Sequence, residues 1–431
     1  MFSDSFVLRG DICYSGSSAT LVTLPDGYLV CREGVSAGVF PRVPEEFRSL
    51  PMLDYRGMLV VPGLVDLHTH APQFRFRGLG MDCGLLEWLS VHAFPEEAKY
   101  AELRYAQAAY GQFVAELAKG PNTRSVVFAT VHADSALLLM DLLEASGLVC
   151  MAGKVNMDRN APEGLCERDA EASLAETRRW LSGCAERHYK NTYPILTPRF
   201  APSCSAALLR GLGALQAEFN LPLQSHLSEN RGEIAFVKEL FPATSCYGDV
   251  YRQFGLFGEN GKTVMAHCVW SDDEEIALMK AGGVFVAHCP QSNTNLASGI
   301  APVRRYLSEN LAIGLGSDVA GGAHMSIFRA MQDAIAVSKL RQCLVNDDEK
   351  PLTVEEAFYL ATKGGGAFFG RVGSFEAGYE CDALVIDDAE FTSGIPVAQS
   401  ISERLERAVY LSDDRHIRAK WARGARIGKS A

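Results

Sequence analysis

Hydrophobic and polar positions divide the chain into three textures. Residues 1 to about 58 hold short apolar stretches, FVLRGDI, SATLVTL, YLVCREG and LDYRGML, broken by turns such as Pro25-Asp26-Gly27, and none keeps the three-to-four spacing of an amphipathic helix. The same texture returns in ECDALVIDD, RAVYLSDD and HIRAKWARG near the other end. The two ends are therefore expected to pair into one small β-sandwich domain of residues 1–58 and 378–431.

Between them, short apolar runs alternate with amphipathic helical segments such as DAEASLAETRRWLSGCAERHYK and SIFRAMQDAIAVSKLRQCL. Eight runs stand out: 58–70, 124–133, 148–157, 193–200, 221–229, 263–270, 284–291 and 312–318. Eight repeats of strand and helix close a (β/α)8 TIM barrel, expected here over residues 59–377; a doubly wound open sheet is the alternative. Polar residues gather at the C-terminal end of nearly every run, the rim where such barrels place their active sites.

Composition narrows the possibilities. A length of 431 residues suits a large core with an accessory domain, and 48% hydrophobic with 22% charged residues excludes a disordered or fibrous chain. A net charge of −11 argues against nucleic acid as a partner, since no basic stripe supplies counterion release, but a free base carries no phosphate and stays open. The start, MFSDSFVLRG, has no basic region before a long apolar stretch, and no run approaches the roughly 18 residues of a membrane span. The cytoplasm is the expected compartment, with no membrane partner. Twelve cysteines lie singly without a C-x-x-C pair and are expected to be reduced core residues.

The candidate chemistry lies at the strand ends. His68 and His70 end the first run two residues apart, so both imidazoles point to one side of a strand. His226 ends the fifth run, His267 lies late in the sixth and Asp318 closes the eighth. Neutral imidazoles and a carboxylate converging on one rim suit a single Zn2+ per subunit, with Fe2+ as the alternative, and leave a position for water whose pKa falls to about 7 on the metal. Glu229, in the order H-x-x-E after His226, is placed to pass a proton between water and substrate.

VVPGLVDLHTH, QSHLSEN, VMAHC, AHCPQSN and GLGSDVAGG together resemble the amidohydrolase superfamily in its aminohydrolase branch. The fourth run ends in TPRF, without the metal-bridging lysine of other branches, which favours a mononuclear site. The resemblance implies His68, His70, His226 and Asp318 as ligands and Glu229, His267 and Asp318 as the catalytic group, with His267 near the metal-bound water. It also implies a homodimer. The loop HAPQFRFRGLGMDCGLLEWLSVHAFPEE, TPRFAPSCS and HLSENRGEI are more specifically similar to the guanine-deaminating members of that branch. That likeness implies a small-molecule purine substrate, with Gln73 and Arg199 on its polar edge, Phe200 on its ring, Leu86 and Trp88 as an apolar wall, and His226, Glu229 and Asp318 at the reacting carbon. Arginine suits such an edge because its paired donors match a carbonyl and a ring nitrogen. The alternatives are another aminohydrolase of the same branch, acting on 8-oxoguanine, a pterin or a triazine, and a catalytically dead scaffold.

Two further readings complete the sequence picture. Gly34-Val35-Ser36-Ala37-Gly38 fits G-x-S-x-G but lacks the following helix of a nucleophile elbow. Gly364–Gly366 reads as close helix packing, and His288 as a strand-end residue outside the ligand set.

Overall fold

The computed structural model describes residues 4–392 and 399–428. Eight parallel strands form the barrel: β1 (Leu64–His70), β2 (Asn122–Phe128), β3 (Val149–Gly153), β4 (Thr192–Pro194), β5 (Leu223–Leu227), β6 (Thr263–His267), β7 (Phe285–His288) and β8 (Ile313–Leu315). They fall in two four-stranded ladders, β1 to β4 and β5 to β8, joined on one side by a parallel bridge between Leu196 and Leu223. The other side closes just past the strand ends, where Asp318 N donates to His68 O at 2.8 Å and His70 N to Val319 O at 3.1 Å. The chain is a closed barrel, not an open sheet.

The barrel core is Val65, Leu67, Val126, Ile195, Val264, Ala266, Phe285, Ala287 and Cys289, with Phe368 and Val372 beneath. Gly314 lies so close to Gly365 that a Cβ there would sit 2.6 Å from the Gly365 Cα, so the 364–366 triplet is a packing contact. The helices obey the same logic of faces. Ala170–Arg187 starts on Asp169, whose side chain accepts from Ala172 N at 2.8 Å, and buries Ser173, Thr177, Trp180, Leu181 and Cys184 at helical spacing. Among the described residues no helix is long and apolar enough to cross a membrane. All twelve cysteines are free, and eight are buried.

The chain ends build one mixed seven-stranded sheet, in the order 425–427, 417–422, 383–386, 52–62, 6–17, 20–32, 35–40. The edge strand 35–40 folds back onto the lead-in to strand 383–386 through a Val35–Glu380 bridge and a hydrogen bond from Cys381 N to Gly34 O at 2.8 Å. Phe6 and Trp421 lie three strands apart, a span of roughly 14 Å in a flat sheet, yet their ring centroids are 5.6 Å apart. The two layers of the expected sandwich are thus one sheet curled over its own apolar face. The strand Met52–Pro62 stays in this sheet to Pro62, past the expected edge at 58, because Leu59–Pro62 pair with Ala383–Ile386.

Charge fixes sheet to barrel. Arg124, buried at the base of β2, donates to both oxygens of buried Asp382 at 2.7 and 2.9 Å and to Glu380 at 2.6 Å. Lys420 Nζ reaches the Gly120 and Asn122 carbonyls beyond the helix Leu103–Lys119, at 2.7 and 3.0 Å, and burial pushes its pKa down to about 7. Removing one member of a buried pair leaves the other charge without compensation. Asp382→Ala is expected to cost about 3 kcal/mol or more, read from the denaturant midpoint; an unchanged midpoint would mean that the pair does not hold the two units together.

His288, at the end of β7, borders a small hollow also lined by Val303, Arg304, Ala334, Val337, Arg341 and Glu349. It is buried, neither ring nitrogen has a hydrogen-bond partner among the described residues, and burial pushes its pKa down to about 3. The unfolded chain binds this proton below about pH 6.5 and the folded chain does not, so stability falls as pH drops from there toward 3 by up to about 1.4 kcal/mol per pH unit. His288→Leu is expected to flatten that limb by up to one proton. Equal slopes for variant and parent between pH 6 and 4 would contradict a neutral buried imidazole.

Candidate metal centre and active site

Five polar side chains, His68, His70, His226, His267 and Asp318, meet at the mouth of the barrel from the ends of four strands. A register shift between Asp66 and Thr69 interrupts the alternation of β1, so Val65 and Leu67 pack in the barrel core while His68 and His70 also turn to its axis. Their rings meet His226 from β5 at centroid distances of 4.8 and 5.2 Å, over Phe128 from β2. One ring nitrogen from each of the three histidines lies within 4.8 Å of the others. Asp318 Oδ1 stands 3.2 Å from His68 Nε2 and 3.5 Å from His70 Nε2.

The donor set fits one divalent cation. Burial lowers the pKa of His68 and, more strongly, those of His70 and His226, keeping the rings neutral and their lone pairs free. Burial acts against the Asp318 carboxylate, but the facing imidazoles hold it well below the usual carboxylate range. Among the described residues the buried His68 Nε2 has Asp318 Oδ1 as its facing polar atom but no hydrogen bond of good geometry, and the Nε2 atoms of His70 and His226 face each other at 3.2 Å. His226 Nδ1 lies 2.5 Å from Arg199 O, so the ring gives its proton to that carbonyl and turns Nε2 to the centre.

The catalytic candidates border this cluster. His267 Nδ1 lies 2.8 Å from Asn293 Oδ1, and Nε2 stands 3.4 Å from Glu229 Oε2 and 3.7 Å from Asp318 Oδ2. Burial would lower the His267 pKa, but Glu229 and Asp318 outweigh it and raise it. Burial raises the Glu229 pKa, although Ser298 Oγ donates to its Oε1 at 3.0 Å. His267 at φ 74°, Ser228 at 45° and Asp318 at 46° occupy the left-handed region that side chains avoid, strain located where the functional groups must be aimed.

Above the cluster lies a cavity of about 390 Å3, counting space open to solvent, lined by Gln73, Leu85, Trp88, Leu89, Arg199, Phe200 and Leu296 as well as His70, His226, His267, Glu229 and Asp318. Phe200 presents its ring beside His226, with centroids 6.5 Å apart. Trp88 is buried against Phe76. The expected wall residue Leu86 is corrected: it is 47% exposed, and Leu85 lines the cavity in its place. In the helix Leu85–Trp88 the inward face passes through 85, 88 and 89, and position 86 turns to solvent.

Sequence reasoning missed Glu97. This buried carboxylate accepts from Gln73 Nε2 at 2.8 Å and from Arg199 Nη1 at 2.5 Å. The signal lay in the loop itself, since a carboxylate buried beside an arginine needs it as a partner, but FPEE reads as an exposed helix start. It also missed Ser298 and Asn293, which orient Glu229 and His267. His132 and His324 line other hollows.

The amidohydrolase family model matches residues 59–426. Guanine deaminase of Homo sapiens is 39% identical over 89% of this chain and 85% of its own length, and that of Dictyostelium discoideum is 38% identical over 87% and 84%. The structure of C. acetobutylicum guanine deaminase with bound guanine in the active site superposes with a TM-score of 0.94 at 42% identity, over 98% of this chain and all of that one. This chain belongs to the amidohydrolase family and, within it, to the guanine deaminases.

Proposed function

We propose that this chain hydrolyses guanine to xanthine and ammonia. One observation carries the reading: three histidines and an aspartate that could hold a metal stand beside a buried glutamate whose pKa burial raises, in one cavity that an arginine and a glutamine also line. The family relatives at 34–39% identity that bear the name guanine deaminase support it.

His68, His70, His226 and Asp318 would hold one zinc ion, which when bound lowers the pKa of water enough to supply hydroxide near neutral pH. The protein does the rest. Arg199 and Gln73 fix the base in the slot, with Phe200 and Trp88 excluding water from its faces. Glu229, whose pKa burial raises, gives a proton to ring nitrogen N3 as the C2–O bond forms. Asp318 takes the proton of the attacking water and returns it to the amino nitrogen, and His267 faces the charge that develops at C2. The C2–N bond then breaks with loss of ammonia, and the second water proton passes from the C2 hydroxyl to Glu229, which restores its carboxyl group and leaves the C2 carbonyl and N3–H of xanthine.

An ultraviolet assay of zinc-loaded protein tests the reading on guanine, 8-oxoguanine, a pterin, a triazine and adenine. Turnover that prefers guanine is expected; preference for another amine would transfer the activity to a different substrate of the same branch, and no turnover of any would remove it. Glu229→Gln is expected to retain its metal by elemental analysis yet lose roughly 10²–10⁴ in turnover. Turnover equal to the parent would exclude Glu229 from proton transfer.

A further inference from the structure

Glu97 joins the two halves of the pocket edge. It lies in the helix Phe94–Ala98, and Phe94, one turn earlier, puts its ring 5.0 Å from the Arg199 guanidinium carbon. Arg199 is therefore held from two directions, by the Phe94 face and by Glu97 Oε2 at 2.5 Å, and both charged groups are at least 97% buried. The other oxygen, Oε1, accepts from Gln73 Nε2 at 2.8 Å, while Gln73 Oε1 accepts from Ala320 N at 3.1 Å. A carboxylate only accepts and a backbone N–H only donates, so the Gln73 amide is fixed in one orientation.

These bonds run on into the metal cluster. Ala320 is two residues past Asp318, and the Arg199 carbonyl receives His226 Nδ1–H at 2.5 Å. One string thus leads from the Asp318 loop through Gln73, Glu97 and Arg199 to His226. Glu97 is its midpoint.

We propose that Glu97 is the positioning residue that sets the pocket's preference for a base carrying an oxo group, by holding the Arg199 donors and the Gln73 amide in register with that group. The proposal rests on the guanine-deaminase reading and adds a residue to it. A glutamine at 97 would turn its NH2 toward donors already on Arg199 or Gln73, so one of the two must swing away. Aspartate keeps the charge but is one methylene too short to reach both.

The test compares guanine with 2-aminopurine, which keeps the amino group and lacks the oxo group. Glu97→Gln is expected to lower kcat/KM for guanine by about 30-fold or more, chiefly through KM, and that for 2-aminopurine by less than about threefold. Glu97→Asp is expected to move the ratio in the same direction by less, and it decides the matter if the glutamine variant does not fold. Equilibrium binding reads the edge without turnover: Glu97→Gln should weaken xanthine by about tenfold or more and leave unsubstituted purine within about threefold. Equal losses on both substrates and both ligands, or an unchanged ratio, would overturn the proposal. A parent protein inert toward guanine would instead sink the functional reading, and the binding ratio would still judge Glu97.

Discussion

Closure of the barrel between its first and last strands is the constraint on which the site depends. β1 and β8 share no ladder, and their junction is made by backbone bonds from Asp318 to His68 and from His70 to Val319. Buried Asp66 completes it, accepting from His68 N at 3.2 Å, Ser317 N at 3.0 Å and Ser317 Oγ at 2.6 Å. The residues that close the fold are thus neighbours of those that would hold the ion. A loosened seam would separate Asp318 from the histidine pair before it unfolded the barrel.

Burial then sets the chemistry. The same desolvation that keeps His68, His70 and His226 neutral raises the pKa of Glu229, so one dry pocket favours both free imidazole lone pairs and a carboxyl able to give a proton. Burial works against the Asp318 carboxylate, but the facing imidazoles, His68 foremost, hold its pKa down; burial would lower the His267 pKa, but the facing Glu229 and Asp318 raise it. Hydrogen bonds to the outer nitrogens, from His226 to Arg199 O and from His267 to Asn293, turn the inner nitrogens to the work.

The repeat of eight runs and the polar strand ends were legible in the sequence because period and position suffice for them. His68, His70, His226, His267 and Asp318 do meet at one rim, and Gln73, Arg199, Phe200 and Trp88 line one cavity. What escaped depended on local geometry. Strict alternation cannot put Val65, Leu67, His68 and His70 on one side, and the register shift after Asp66 that does so leaves no mark in composition. Leu85 and Leu86 are identical letters, told apart only by the helix phase. Glu97, Ser298 and Asn293 act through partners distant in sequence, so their roles follow from contacts that only the folded chain makes.

The most direct measurement is anomalous diffraction at the zinc edge from crystals of the zinc-loaded protein. A single peak within about 2.0–2.2 Å of nitrogens from His68, His70 and His226 and an oxygen of Asp318 is the predicted result. A peak elsewhere, or one at the histidines with Asp318 beyond coordinating distance, would contradict a metal centre built on the closing seam of the barrel.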